Sequence, residues 1–226
     1  MLRALIVLHP IVAALEGALT FWLPLACAGC GALDVGLCPG CHRALGLAPV
    51  RRRTDLGVAV TSAMEFSGVP ARVLRALKEE GRTTLARALA PALAAVLAEV
   101  AGPGVVVTTV PSSRAAYRRR GYRPVDLLVQ RSGRRPVPLL RIARTPRDQR
   151  GLGRAARRAN VGGVFVSRPV AGHRVVVVDD VVTTGATIDD AARALRAAGA
   201  IDVVAVTVAH TPRRRGLAGE PEVIRT

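Results

Sequence analysis

The apolar positions along this chain change period several times, and the changes mark its elements. From residue 103 onward, short β-branched runs alternate with stretches whose apolar residues recur every three or four positions. The runs "GVVVTTVPSS", "RPVPLL", "HRVVVVDD" and "IDVVAVTVAH" predict strands, and "RPVDLLVQRSG" and "IDDAARALRAAGA" predict helices. Strands separated by helices of this length imply a parallel sheet with right-handed crossovers. Residues 51–100 hold a basic run, "RRRTD", and a β-leaning stretch, "GVAVTSAMEFSG". A helical "VPARVLRALKEEG" and the Ala/Leu-rich "TTLARALAPALAAVLAEVAG" follow. The pattern divides the chain into an apolar lead helix with a cysteine module at 1–50, an α/β domain at 51–212 and a frayed tail at 213–226.

The apolar lead needs a membrane test. Arg3, His9, Pro10 and Glu16 interrupt it, so no clean run of about 18 apolar residues forms, and no membrane span is expected. Glu16 is poorly placed for the apolar core of a signal peptide, and "PLAC" is a poor lipoprotein cleavage site. An amphipathic or buried helix leading into the cysteines is expected instead, in a cytoplasmic protein.

The string "VVVVDDVVTTGAT", residues 175–187, concentrates the chemistry. Val175 to Val178 suit an interior parallel strand. In open α/β sheets ligands sit outside the carboxyl ends of the strands, which is where Asp179 and Asp180 emerge. Thr187 and Asp190 have the spacing of a capping box, which predicts a helix start there. Its buried stripe would be Ile188, Ala191, Ala192, Leu195 and Ala198, with Gly199 as the stop. Thr183, Thr184, Gly185, Ala186 and Thr187 would then aim amides and hydroxyls at one spot, an anion cradle reinforced by the helix dipole. Carboxylates beside a phosphate cradle suit a sugar phosphate. A Walker-type nucleotide site is excluded by the lack of a glycine-framed lysine. The remaining rival is a strand end whose aspartates merely cap the next turn.

Composition adds two points. The chain of 226 residues is half apolar but only 3% aromatic, so its core must be built from Ala, Val and Leu. Its formal charge of +17 is carried almost wholly by arginine, with Lys78 the single lysine. Codon bias in a GC-rich genome accounts for much of that preference, and it makes one retained ammonium worth notice, because Arg does not replace Lys at a tight site.

All four cysteines fall in "CAGCGALDVGLCPGC", where Cys27, Cys30, Cys38 and Cys41 form two C-x-x-C knuckles seven residues apart. Two knuckles can aim four thiolates at one tetrahedral centre, which predicts structural Zn²⁺. A redox pair would need only one knuckle. The haem-type string "CPGCH" is also present, but the preceding knuckle favours zinc, with His42 a ligand only if a cysteine were displaced.

With these residues in view, "VVVVDDVVTTGAT" resembles the phosphoribosyl-pyrophosphate (PRPP) signature of the type I phosphoribosyltransferases. The succession of "CAGC…CPGC", "LKEEGRTTLARALA", "VPSSRAAYRRRGY", "RTPRDQRGLGRAARRANVGGVF" and that signature resembles the ComF family of competence-associated proteins, over about residues 20–210. The resemblance implies a type I phosphoribosyltransferase-like parallel sheet flanked by helices, with a small N-terminal four-cysteine zinc module. It implies that Asp179 and Asp180 contact ribose and that Thr183 to Thr187 hold the 5′-phosphate. Ser112, Ser113 and Arg114 match the loop that meets the diphosphate with Mg²⁺. Lys78, Gln149, Arg158 and Asn160 match further family positions, the last three in a glycine-rich loop that closes over the site. Arg123 departs from the small polar residue the family usually has after "RG[FY]", which leaves the acceptor open.

Two further readings stay beside a transferase with an unidentified acceptor. One is a regulator that binds PRPP without turning it over. The other is a nucleic-acid-linked accessory protein of DNA uptake, since residues 114–158 hold 15 Arg against only Asp126 and Asp148. Single-stranded DNA or competence machinery would then be a partner, although few aromatics interleave with the arginines to stack bases. The oligomeric state is left open, a dimer included.

Overall fold

The computed structural model describes residues 25–143 and 163–212. The lead segment before Leu25, the tail after Pro212, and Gln149, Arg158 and Asn160 lie outside the described residues. The cysteine module carries one short helix, α1 (Pro39–Arg43), and leads into a hairpin of β1 (Val50–Arg53) and β2 (Ala59–Glu65). Then come α2 (Gly68–Glu79), a 3₁₀ turn (Thr83–Leu85), α3 (Ala86–Val100), β3 (Val106–Thr109), α4 (Arg114–Arg120) and α5 (Pro124–Arg131). A two-stranded ribbon of β4 (Leu140–Ile142) and β5 (Phe165–Ser167) precedes β6 (Arg174–Val182), α6 (Ala186–Ala197) and β7 (Asp202–His210).

The main sheet has the order β1-β2-β7-β6-β3. β2, β7, β6 and β3 run parallel, and β1 joins antiparallel at the edge. The central strands are valine-rich because both faces are covered. Val176 and Val178 of β6 and Val206 and Val208 of β7 pack with Leu74 and Leu77 of α2 and Leu89, Leu93 and Val96 of α3. Val175, Val177, Val203 and Ala205 pack on the opposite side with Ile188, Ala191, Ala192 and Leu195 of α6. The alternating sets follow from the two-residue period of a strand and the three-to-four spacing of the helices laid on it. The apolar stretch Thr83–Val100 is long enough to cross a membrane by length and composition. Here Leu85, Leu89, Leu93, Val96 and Leu97 are buried in the core against the sheet.

Two expectations are corrected, the strand at 135–140 and the capping box, and two segments for which the pattern predicts no element form one. The strand read at 135–140 forms instead at Leu140–Ile142, pairing with β5 rather than with the main sheet. Pro136 and Pro138 lack the amide hydrogens a ladder needs, and only Val137 N–H reaches the sheet, at 2.8 Å from Val107 O. The basic run opens as an edge strand, β1, whose exposed arginines suit a solvent-facing edge. Helix α4 has no buried residue and therefore shows no apolar period to read. The capping box does not form: α6 begins at Ala186, with Gly185 as its cap residue at φ 90°.

Asp190 has different work. Its buried carboxylate accepts from Gly163 N–H at 2.7 Å and Phe165 N–H at 2.8 Å, and pairs with Arg193 at 2.7 Å. It thus ties α6 to the start of β5. Removing a buried acceptor strands two amides and a guanidinium, which costs more than losing an exposed helix cap, about 1 kcal/mol. Asp190→Ala is expected to lower stability by about 2–4 kcal/mol in urea unfolding, with Asp190→Asn intermediate because it keeps one acceptor oxygen.

Candidate functional site

The strand that carries Asp179 and Asp180 does not stop at them. β6 continues to Val182, pairing Asp179 with Thr207, Val181 with Ala209 and Val182 with His210 of β7. The two carboxylates therefore sit on a rigid ladder one turn of backbone before the loop, rather than on the loop itself. Beneath Asp179 the sheet is polar: Thr207 and Ser62 share a buried hydroxyl–hydroxyl hydrogen bond of 2.8 Å. Asp179 accepts from the N–H of Asp180 at 2.8 Å. Asp180 pairs with Lys78 Nζ at 2.6 Å, the ammonium reaching across from the last turn of α2.

This arrangement separates the two acids electrostatically. Burial, and then the charge of Asp180, pushes the Asp179 carboxyl up to about 8, against the opposing pull of the Asp180 amide and the Lys78 ammonium. One ammonium serves two carboxylates, so a second source of positive charge or hydrogen-bond donors is needed before both ionise.

The loop that follows is shaped from outside. Thr183 and Thr184 are exposed, Gly185 is buried, and Ala186 and Thr187 are half-buried at the start of α6. Thr184 Oγ1 accepts from Ala186 N–H at 3.4 Å. A Cβ on Gly185 would lie 2.7 Å from Thr54 Cγ2, and its φ of 90° suits only glycine without strain. The Thr54 hydroxyl in turn donates to Asp189 Oδ1 and accepts from Val58 N–H at 3.0 Å. Burial raises the Asp189 carboxyl, and the Thr54 hydroxyl and Leu56 amide oppose that. Arg52 Nη2 donates to Thr183 O at 3.2 Å. The β1–β2 hairpin thus braces the loop through Arg52 and Thr54. Neither residue stands out in the sequence, because their partners lie more than a hundred residues away.

Ser112, Ser113 and Arg114 leave β3 beside the pair. Val110 N–H donates to Val178 O at 2.9 Å, so the chain parts from the sheet next to Asp179. The Ser113 hydroxyl accepts from Ala116 N–H at 3.1 Å and caps α4, while Ser112 is half-buried and Arg114 exposed. Tyr122, just past α4, donates its hydroxyl to Leu77 O, the residue before Lys78. Arg123 lies over the Tyr117 ring at 5.4 Å and 3.7 Å from Asp126. Its guanidinium is held by its own neighbourhood.

The four cysteine sulfurs lie within 4.8 Å of one another. The sulfur of Cys27 accepts from Cys38 N–H at 3.3 Å and Gly29 N–H at 3.4 Å. Those amides draw its thiol down to about 6, while burial and the three other sulfurs push Cys41 up to about 12. Four clustered soft donors fit one tetrahedral thiophilic cation. The fit extends to the backbone: a Cβ on Gly29 would lie 2.4 Å from Cys41 Sγ.

Comparison with known proteins places this geometry in context. Residues 83–222 match the model of the phosphoribosyl transferase domain. An orotate phosphoribosyltransferase of Nocardioides sp. is 54% identical over 44 residues, 19% of this chain and 25% of its own. The DNA utilization protein YhgH of Escherichia coli O157:H7 is 34% identical over 103 residues, 43% of this chain and 45% of its own. The chain thus spans less than half the length of these relatives. Among solved structures, an adenine phosphoribosyltransferase is similar at a TM-score of 0.35 and 17% identity, over 76% of this chain and 90% of that one.

The Asp179 carboxyl has a consequence for stability. Because its folded value of about 8 stands above its ordinary 3.8, the folded state holds a proton that the unfolded chain releases. Its stabilising contribution is complete below about pH 4 and is lost as pH rises through about 8. Urea melts across this range should show that decline in the wild type and a flatter profile in Asp179→Asn.

Proposed function

The chain belongs to the phosphoribosyl transferase domain family, and on that footing we propose that it binds PRPP with Mg²⁺ and transfers the phosphoribosyl group to a nitrogen nucleophile. The observation that carries this reading is the continuous strand–loop–helix from Asp179 to Thr187, with two carboxylates before a glycine-pinned hydroxyl loop at a helix start. Asp179 and Asp180 would accept from the ribose hydroxyls. The Thr183 and Thr184 hydroxyls and the amides of Gly185, Ala186 and Thr187 would hold the 5′-phosphate. Ser112, Ser113 and Arg114 would face the diphosphate, with Gln149, Arg158 and Asn160 as further candidate contacts by family position. Lys78 pairs with Asp180 at 2.6 Å, and carboxylate charge at this position would stabilise a developing ribosyl cation. In the transfer the C1–O bond breaks with its electron pair leaving on diphosphate, a C1–N bond forms, and the nucleophile gives up its proton to solvent. Mg²⁺, when bound, neutralises charge on that leaving diphosphate. In the cysteine module Zn²⁺ would be structural, held by Cys27, Cys30, Cys38 and Cys41. We place the protein in the cytoplasm.

Calorimetric titration with PRPP–Mg²⁺, alongside a pyrophosphate-release assay over candidate bases, tests this. Wild type should bind at micromolar concentrations, and Asp179→Asn/Asp180→Asn should weaken binding by at least tenfold. Equal binding by both proteins would sink the assignment, and tight binding without release for any base would favour a PRPP-sensing regulator.

A second reading rests on α4. Arg114, Arg118 and Arg119 project from a helix with no buried residue, beside Tyr117 at 45% exposure. Such a surface attracts a polyanion, and YhgH is named for DNA utilization. Single-strand affinity measured against salt should fall with a log–log slope of about −2 if three phosphates are neutralised, and Arg118→Ala/Arg119→Ala should flatten it. An unchanged slope in that variant removes α4 as the contact.

A further inference from the structure

We propose that Arg72 is a positioning residue through which the cysteine module sets Lys78 against Asp180. The path is short and made of directional contacts. Arg72 Nε donates to the carbonyl of Gly29, between the two cysteines of the first knuckle. Arg82 Nη2 donates to the carbonyl of Gly36, just ahead of the second knuckle, at 2.7 Å. These arginines flank Lys78 in sequence, and Lys78 lies in the last turn of α2. The knuckles also press on α2 directly: a Cβ on Gly29 would lie 2.4 Å from Cys41 Sγ and 3.0 Å from Val69 Cγ1.

The physical case rests on what a lysine needs. Its ammonium sits on a flexible four-carbon stem, and holding it at one point costs rotamer entropy unless the backbone beneath is fixed. The sheet-facing side of α2 is fixed by Val73, Leu74 and Leu77 in the core. Apolar packing of this kind resists lifting but is non-directional, so it fixes the helix's rotation and sliding less firmly. The two arginine-to-carbonyl bonds supply that direction on the module side, and Tyr122 O–H to Leu77 O supplies it on the other. Metal in the cysteine cluster would fix the knuckle carbonyls that the arginines grip. The cluster would thereby act on a carboxylate pair to which it contributes no ligand.

The single lysine makes the test direct. Reductive methylation of the full-length zinc-loaded chain with ¹³C-formaldehyde labels only Lys78 and the N-terminal amine, leaving the charge and one N–H on Lys78. In wild type the Lys78 methyl resonance should stand apart from its free-peptide position, and Asp180→Asn should return it there. Arg72→Ala should do the same with zinc content unchanged, and Arg72→Gln, whose amide can still donate, should partly restore the wild-type position. Arg72→Lys is avoided because it adds a second amine. Stripping zinc from wild type with a chelator should reproduce the Arg72→Ala spectrum, and re-adding zinc should reverse it.

An unshifted Lys78 resonance in zinc-loaded Arg72→Ala, or in folded zinc-free wild type, overturns the proposal. If Arg72→Ala does not fold, the chelated wild type decides. Unfolding in both overturns it as well, because the module then holds the whole domain rather than Lys78. The functional consequence rests on the PRPP reading: Arg72→Ala should weaken PRPP about as much as Lys78→Ala, roughly tenfold, and the double variant no further. A wild type that fails to bind PRPP refutes that reading and leaves the resonance test standing.

Discussion

Two carboxylates on one strand of a buried parallel sheet must find compensation, and the organisation of the site follows from that need. The valines ahead of Asp179 and Asp180 are covered on both faces, and the two aspartates are themselves only half-buried. The sheet meets the problem unequally. Asp180 receives an ammonium at 2.6 Å, whereas Asp179 receives a backbone amide, only the through-space pull of that ammonium and, at neutral pH, a proton. A carboxyl held protonated by burial and a neighbouring acid ionises more readily when further hydrogen-bond donors or positive charge reach it.

The same need explains why distant segments converge here. The phosphate-type loop cannot hold itself, since Thr184 makes only a long local hydrogen bond and the helix after it lacks a side-chain cap. Its shape is imposed by the hairpin, through Thr54 against Gly185 and Arg52 on Thr183 O. From the opposite direction α2 delivers Lys78, and the cysteine module grips α2. Residues before position 83, outside the matched family domain, thus supply contacts on both sides of the loop and carboxylate pair. The domain and its N-terminal segments share one site.

How much of this the chain disclosed in advance depended on the range of each interaction. The strand and loop at 175–187 were legible because their chemistry is local: a valine run, adjacent acids, and glycine among hydroxyls. The cysteine knuckles were legible for the same reason, as two short spacings. The role of Asp190 is not legible, because a capping-box spacing is only three residues of pattern, whereas its partners include the amides of Gly163, in the turn before β5, and Phe165, at its start. Helix α4 was missed because an element that buries nothing leaves no apolar period to detect. Thr54 and Arg72 were beyond reach altogether. Their roles come from contacts made across the fold, and a threonine or an arginine in an arginine-rich chain has no local signature.

Lys78 was the intermediate case, singled out by rarity and given meaning by geometry. Its side chain is 30% exposed, wedged between the end of α2 and a carboxylate that is 15% exposed. A guanidinium there would present a planar fork with five donors, and the space holds one contact with Asp180. Surplus donors in a half-buried place are left unpaired, which costs about 1–3 kcal/mol for each one fully buried. An ammonium avoids that because it is compact and can turn its remaining protons toward solvent or an arriving ligand. The compositional drift toward arginine would therefore meet resistance at this position for a steric and hydrogen-bonding reason. That resistance is a property of the local geometry around Asp180.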